Sequence, residues 1–144
     1  SANIAVTKGY VIHTVTEGWE HQMNESAAAL PRYVNEFETI GIQTVASDLV
    51  AAPRIKGCPL AMECEYHQTL EFGDDWKTYV VIGKVLRWHV REDLMLGDKY
   101  VNPHLLKPIG RLGGPRYCHT GDIFEMQAPY VQPDVAHPNT GEKN

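Results

Sequence analysis

The chain has 144 residues, a formal net charge of −5 and a pI near 5.8, and 43% of its residues are hydrophobic. This length suits a single domain with its own hydrophobic core. The acidic balance argues against nucleic acid as a partner, because phosphate binding depends on clustered Lys and Arg. No apolar run approaches the roughly 18 residues of a membrane-spanning helix, so we expect no membrane association.

The cysteines are Cys58, Cys64 and Cys118, an odd number with no C-x-x-C pair. A disulfide framework is therefore not expected. Because the first residues also lack the pattern of a signal peptide, we expect reduced thiols in a cytoplasmic protein.

The first part of the chain predicts one strand, two short helical segments and a weaker strand. Residues 1–9 carry no cap or strand signal. Thr16 is expected to cap the first helix, because its hydroxyl can accept from free backbone N–H groups. The expected elements are a strand over 10–15, a helix over 17–24, a helix or turn over 35–41 and a weak strand over 44–50.

Residues 59–91 predict one long β-hairpin. Apolar and polar residues alternate from Leu60 to Phe72, the period of a strand with one buried and one wet face. Residues 73–75 (Gly-Asp-Asp) supply turn chemistry. The return arm, 76–91, is apolar on both faces, which predicts a strand covered on both sides at the centre of the fold.

After the hairpin, the pattern predicts short elements and then a tail. The expected elements are a strand at 99–101, a helical turn at 103–107, a glycine-bearing turn at 111–115 and a strand over 122–126. The predicted elements are mostly β-strands with short helices, and this combination favours a small barrel.

The sequence contains none of the common catalytic motifs: no G-x-S-x-G, no H-E-x-x-H, no P-loop and no G-x-G-x-x-G. The histidines and cysteines lack the spacing of a zinc site, so we assign no metal. Glu63 and Glu65 lie two residues apart on one strand face and are interpreted as part of a solvated stripe.

The unusual piece is the Gly113-Gly114 pair flanked by Arg111, Arg116 and Tyr117. Bare backbone would let a planar ligand approach closely, and an arginine there could meet a phosphate or a ring edge. The plainer alternative is a β-turn with a core tyrosine, and the residues alone leave both open.

Segments in order along the chain resemble the flavin reductase-like family with an FMN-binding split barrel. Arg111-Leu112-Gly113-Gly114, Tyr117, Thr120-Gly121 and Phe124-Glu125 resemble the family's C-terminal signature. The upstream matches are Asn3-Ile4, Tyr10-Val11-Ile12-His13 (a strand that is usually Phe-Val-Val-Asn), Met23-Asn24-x-Ser26, Leu30-Pro31, Glu36-Phe37, Gly41, Pro59-Leu60-Ala61-Met62-Glu63-Cys64 and Ile82-Gly83-Lys84-Val85.

The resemblance implies a mainly β fold, an FMN-binding split β-barrel with short helices, over residues 3–128. Residues 129–144 are then a tail or a dimer arm. The family's opening strand, its Ser-containing loop and its Lys-Asp-Thr stretch have no counterpart here, so the chain resembles the C-terminal portion of the domain without its N-terminal strands. In the family those parts supply much of the contact to FMN, and the missing half would come from another chain or a longer polypeptide.

The resemblance also implies which residues hold FMN. Asn24 and Ser26 offer side-chain hydrogen bonds at a helix end, and the glycines let the ring lie against backbone. Tyr117 can stack on the ring or bond to it, and Arg111 meets the cofactor or braces the turn against an acid such as Glu125. The implied set is Asn24, Ser26, Arg111, Gly113, Gly114 and Tyr117.

The implied function is NAD(P)H-dependent reduction of flavin, or of an acceptor through bound flavin, by a homodimer, and a monooxygenase is a candidate partner. No catalytic side chain is needed, because the hydride chemistry belongs to the cofactors and the protein binds and orients them. The alternative is a non-catalytic flavin- or haem-binding module or electron carrier with the same split barrel. The residues do not choose between NADH and NADPH, since no dinucleotide fingerprint is present, and they do not name the final acceptor.

Overall fold

The computed structural model describes residues 2–28, 30–31 and 34–126. Its helices are α1 (Ala2–Thr7), α2 (Glu20–Glu25), α3 (Glu36–Thr39) and α4 (Pro103–Leu106). Its strands are β1 (Gly9–His13), β2 (Thr44–Val45), β3 (Arg54–Ile55), β4 (Leu60–Phe72), β5 (Thr78–Val90), β6 (Met95–Leu96), β7 (Tyr100–Val101), β8 (Ile109–Arg111) and β9 (Tyr117–His119). The expected tail at 129–144 lies outside the described residues, and no helix in the described part of the chain has the length and apolarity to cross a membrane.

The main sheet has three antiparallel strands in the order β1-β4-β5. The long hairpin is confirmed, with its reversal at Gly73, which takes φ of +88°. The expectation that the return arm lies covered at the centre is wrong for the described residues. β4 is the central strand, and β5 is an edge strand whose Trp88 side chain is 58% exposed.

Burial along β4 also departs from the expected alternation. The first half is buried on both faces, including Ala61 and Glu63, whereas Leu70 and Phe72 near the tip are exposed. The cause is that β1 pairs only with residues 61–65, so the distal half of the hairpin extends beyond its neighbour. Irregularities in the β4–β5 register at Glu63/Cys64 and Tyr66/Gln68 further break the two-residue period.

Most of the short expected elements are present. The structure confirms the strand near 10–15, the helices near 35–41 and 103–107, and the short strands near 44–50 and 99–101. Two expectations are wrong. Residues 122–126 form no strand, and Thr16 caps no helix, because α2 begins at Glu20 after an N-cap residue, Trp19, that makes no side-chain cap bond. Residues 2–7, which carry no cap or strand signal, form a helix.

Thr16 is buried where the segment after β1 meets the segment before β8. It forms an isolated antiparallel bridge with Pro108. Backbone hydrogen bonds flank the bridge, from Glu17 N to the Lys107 carbonyl (3.0 Å) and from Ile109 N to the Val15 carbonyl (2.9 Å). These bonds place the β8–β9 hairpin beside the segment that leads into α2.

Gly83 on β5 generates a prediction about stability. A Cβ added there would lie 2.6 Å from the Glu65 carbonyl oxygen and closer still to the Tyr10 hydroxyl. Because one contact is backbone, Gly83→Ala should destabilise the fold by about 1–3 kcal/mol, the usual cost of overpacking. Gly121→Ala is the matched control, since nothing lies within 4 Å of its added Cβ. Equal urea midpoints for the two variants would contradict the packing described here.

Candidate functional site

The β8–β9 hairpin holds Arg111 and Tyr117 in a fixed pair. The Arg111 Nη1 donates to the Tyr117 hydroxyl at 2.6 Å, and its Nη2 donates to the Gly114 carbonyl at 3.0 Å. The guanidinium carbon also lies 4.8 Å from the centre of the Tyr117 ring, within cation–π range. Arg111 therefore braces the turn through a carbonyl and a tyrosine, whereas no described ion pair joins it to Glu125.

Met23 in α2 links this hairpin to the helix. The Tyr117 hydroxyl donates to the Met23 Sδ at 3.9 Å, and the Ser26 hydroxyl donates to the Met23 carbonyl at 2.7 Å. Of the residues that the sequence implicated, Arg111 thus contacts both Gly114 and Tyr117, and Ser26 joins this pair through Met23. The exposed Asn24 side chain makes no hydrogen bond to any described residue, so the structure does not bring it into this group.

The glycine turn presents open backbone. Nothing lies within 4 Å of a Cβ added at Gly113, and only the Arg116 Nη1 comes as near as 4.0 Å at Gly114, whose φ is +64°. Beside the turn is a shallow cavity of about 190 Å³, lined by Val15, Met23, Ile109, Arg111 and Tyr117. Exposed backbone, a cation and an aromatic hydroxyl fit a planar cofactor with polar edges.

A larger cavity of about 300 Å³ shares Val15 and Met23 with the smaller one. Met23 lines both cavities, and Ser26 lines the larger one. The wall is mostly apolar, and its polar groups include His13, Gln22 and Cys58. The Cys58 thiol donates to the Leu60 carbonyl at 3.2 Å, and burial raises the pKa of this thiol, so it is no ready nucleophile.

Glu63 is a buried charged group that the sequence misassigned to a solvated stripe. Its side chain is 0% exposed, and its two carboxylate oxygens accept from the backbone N–H groups of Asp48 (2.9 Å) and Leu49 (2.6 Å). The His89 Nε2 lies 2.6 Å from the same carboxylate and the Arg54 Nε lies at 3.7 Å. Glu63 therefore anchors the loop before β3 to the central strand.

These contacts determine the ionisation of Glu63. Burial alone would raise its pKa, but the hydrogen bonds from Asp48, Leu49 and His89 outweigh that effect and lower the pKa to about 2. An ionised carboxylate only accepts hydrogen bonds, so the His89 Nε2 carries the proton that it shares with Glu63.

Asp48, Glu63 and His89 bring their ligand atoms within 4.8 Å of one another. The atoms are already engaged, since Glu63 holds two amides and Asp48 pairs with the Arg87 Nη1 at 2.6 Å. We assign this group a structural role and no metal.

The sequence model of the flavin reductase like domain matches residues 1–104. The chain belongs to the flavin reductase-like family. The match ends before the Gly113-Gly114 turn, so the turn's role rests on its own geometry.

The chain is also similar to individual known proteins. An uncharacterised protein of Deinococcus radiodurans is 33% identical over 127 residues, which is 86% of this chain and 55% of that protein. The solved nitrilotriacetate monooxygenase component B of Bacillus cereus is 29% identical with a TM-score of 0.79, over 87% of this chain and 63% of that one. The chain thus spans little more than half the length of the curated relative.

The expected fold class is confirmed. A Shewanella frigidimarina protein with a split barrel domain superposes with a TM-score of 0.76, covering 90% of this chain and 64% of that chain. At 19% identity this likeness shows the shared fold alone. Within the described residues, the sheet of this chain is open rather than closed into a full barrel.

The sequence did not indicate the roles of two residues, Met23 at the candidate site and the structural Glu63. Met23 was part of a matched motif, but nothing in its type or spacing indicated a contact with Tyr117, which lies 94 positions away. Glu63 was misassigned because strand periodicity does not reveal a carboxylate that is buried against backbone N–H groups. The sequence offered one signal, because Glu63 lies among apolar residues. A carboxylate that is buried in such a run needs hydrogen-bonding or charged partners.

Glu63 generates a prediction with a defined pH range. Because its pKa falls from an ordinary value of 4.5 to about 2 on folding, its stabilisation is complete above pH 4.5 and is lost as the pH falls toward 2. Glu63→Gln should cost about 2–4 kcal/mol at pH 7, since an amide NH₂ would face donors. It should also flatten the acid branch of a stability–pH profile measured by urea unfolding.

Glu65→Gln is the matched control, because Glu65 is exposed on the same strand. It should leave both the stability and its acid dependence within about 0.5 kcal/mol of wild type. A Glu63→Gln protein as stable as Glu65→Gln would contradict the anchoring role of Glu63.

Proposed function

We propose that this chain is the flavin-contacting part of an oxidoreductase that binds FMN and uses NADH or NADPH to reduce the flavin, or a further acceptor through it. Membership of the flavin reductase-like family supports the flavin chemistry. The observation that carries the proposal is the exposed glycine turn, braced by Arg111 against Tyr117 and Met23. Asn24 and Ser26 are proposed as further contacts at the end of α2.

The chain's own contribution is binding and orientation. Gly113 and Gly114 leave room for a flat ring to lie against backbone, and Tyr117 offers a ring face at its edge. Arg111 donates two of its five N–H groups to partners within the hairpin, so the others remain for a phosphate or a ring carbonyl. When bound, FMN supplies the hydride acceptor and the electron relay, so no side-chain acid or base is required.

We further propose that the protein is a cytoplasmic homodimer and that a monooxygenase component is a candidate partner. The similarity to nitrilotriacetate monooxygenase component B supports the partner class. Free thiols at Cys58, Cys64 and Cys118 support a reducing compartment. The exposed apolar side chains of β5, among them Tyr79, Val80 and Trp88, offer the surface for a second copy.

Gly113→Val tests the proposed flavin site. A Cβ added at Gly113 meets no neighbour within 4 Å and the position needs no positive φ, so the fold should tolerate the substitution, whereas Gly114→Val would strain the backbone. We expect FMN affinity of the full-length protein to fall at least about tenfold, because the side chain occupies the space next to the ring. The readout is quenching of FMN fluorescence on titration.

Gly121→Val is the control, since it is equally unobstructed and lies beyond the hairpin. Unchanged FMN affinity in Gly113→Val would show that the turn does not line the site. NADH or NADPH oxidation that depends on added FMN distinguishes the oxidoreductase from a non-catalytic flavin- or haem-binding carrier.

The homodimer yields a separate prediction. Trp88→Glu places a charge on the exposed apolar face of β5 and should shift the full-length protein from dimer to monomer in analytical ultracentrifugation. Leu105→Glu, at a comparably exposed position in α4, should remain dimeric. A wild-type protein that is monomeric at micromolar concentration would contradict the proposal.

A further inference from the structure

The cavity of about 300 Å³ beside Met23 has the size and walls of a site for an aromatic molecule. A dry cavity of about 150 Å³ holds benzene, so this one accommodates a two-ring compound. Trp19 and Phe37 supply aromatic walls, and Ile40, Ile42 and Ile55 supply aliphatic ones. Such walls favour flat apolar ligands, whose binding gains from ring contacts as well as from buried area.

His13 lines the cavity with an imidazole ring whose tautomer is defined. The Ile55 backbone N–H donates to the His13 Nε2 at 2.9 Å, so that nitrogen carries no proton and the neutral ring holds its proton on Nδ1. Burial, and to a smaller extent the nearby Arg54 guanidinium, lowers the pKa of His13, which keeps the ring neutral. The Nδ1–H group has no hydrogen-bond partner among the described residues.

The charge around the cavity disfavours an anionic ligand. Its described lining contains no Lys or Arg, and the charged side chain that lines it is the acidic Glu36. An anion would lose its water without gaining an opposite charge, which is costly in an apolar site. A neutral ligand carrying an oxygen that accepts from His13 has no such cost.

We propose that this cavity binds an uncharged quinone, with one quinone carbonyl accepting a hydrogen bond from the His13 Nδ1–H. The inference rests on the proposed function, because Met23 and Ser26 join the cavity to the proposed flavin site, and it names the class of acceptor. Two electrons and two protons pass from reduced flavin to the quinone, which leaves oxidised flavin and the hydroquinone. His13 acts as a specificity-determining residue, holding the carbonyl rather than supplying the protons.

The binding test uses flavin-free full-length protein, isothermal titration calorimetry and 2,3-dimethyl-1,4-naphthoquinone, whose substituted ring positions prevent addition to thiols. We expect saturable binding at one site, and at least about tenfold weaker binding of the 6-carboxylate derivative of the same quinone. His13→Phe keeps a flat ring but removes the N–H, and should weaken quinone binding by about five- to tenfold.

Two further variants locate the site. Ile40→Trp should abolish binding by filling the cavity, whereas Ile12→Trp, on the neighbouring exposed position of β1, should leave it unchanged. Side-chain ¹H–¹⁵N spectra of the wild-type protein supply a readout that needs no variant, because the His13 Nδ1–H resonance should shift on addition of quinone. Quinone affinity that survives both Ile40→Trp and His13→Phe, or a wild-type protein that binds no quinone, overturns the proposal.

Flavin titration of the same preparations separates the two proposals. A protein that binds FMN but not the quinone rejects this acceptor site and leaves the flavin function standing. A protein that binds the quinone at this cavity but not FMN supports the site and rejects the flavin function.

Discussion

The geometry of the candidate site depends on a short antiparallel junction between distant parts of the chain. The bridge between Thr16 and Pro108, with its flanking backbone bonds, brings the β8–β9 hairpin against the segment that enters α2. The Thr120 hydroxyl adds a bond to the Pro108 carbonyl at 2.7 Å. The junction joins Val15 to Ile109, and both residues line the cavity beside the glycine turn, where Tyr117 contacts Met23.

A second constraint, the buried carboxylate of Glu63, fixes the other side of the molecule. It accepts hydrogen bonds from two backbone N–H groups of the loop and from His89, and so it ties the loop before β3 to the central strand. That loop leads to Ile55, whose N–H sets the tautomer of His13. The Glu63 carboxylate thus supports the geometry of the larger cavity, although it does not line that cavity.

Much of the fold was predictable from local pattern. The long hairpin, the turn at Gly73 and the first strand follow from alternation and glycine chemistry, and they are present. The position of β5 was not predictable in this way, because an apolar edge strand and a central strand share one composition. The expectation that Thr16 caps a helix failed for a related reason. Its partner Pro108 lies 92 positions further along the chain, and no local sequence pattern indicates that pairing.

Of the candidate site, the sequence identified the hairpin members but not the contacts that join them. Arg111 and Tyr117 were implicated by a resemblance, whereas their mutual bond and their link to Met23 are properties of the folded chain. The most direct test is a crystal structure of the full-length protein grown with FMN. The account predicts the flavin ring in van der Waals contact with the backbone of Gly113 and Gly114, and its edge near Tyr117. A flavin bound elsewhere, with this turn buried under other parts of the protein, would contradict it.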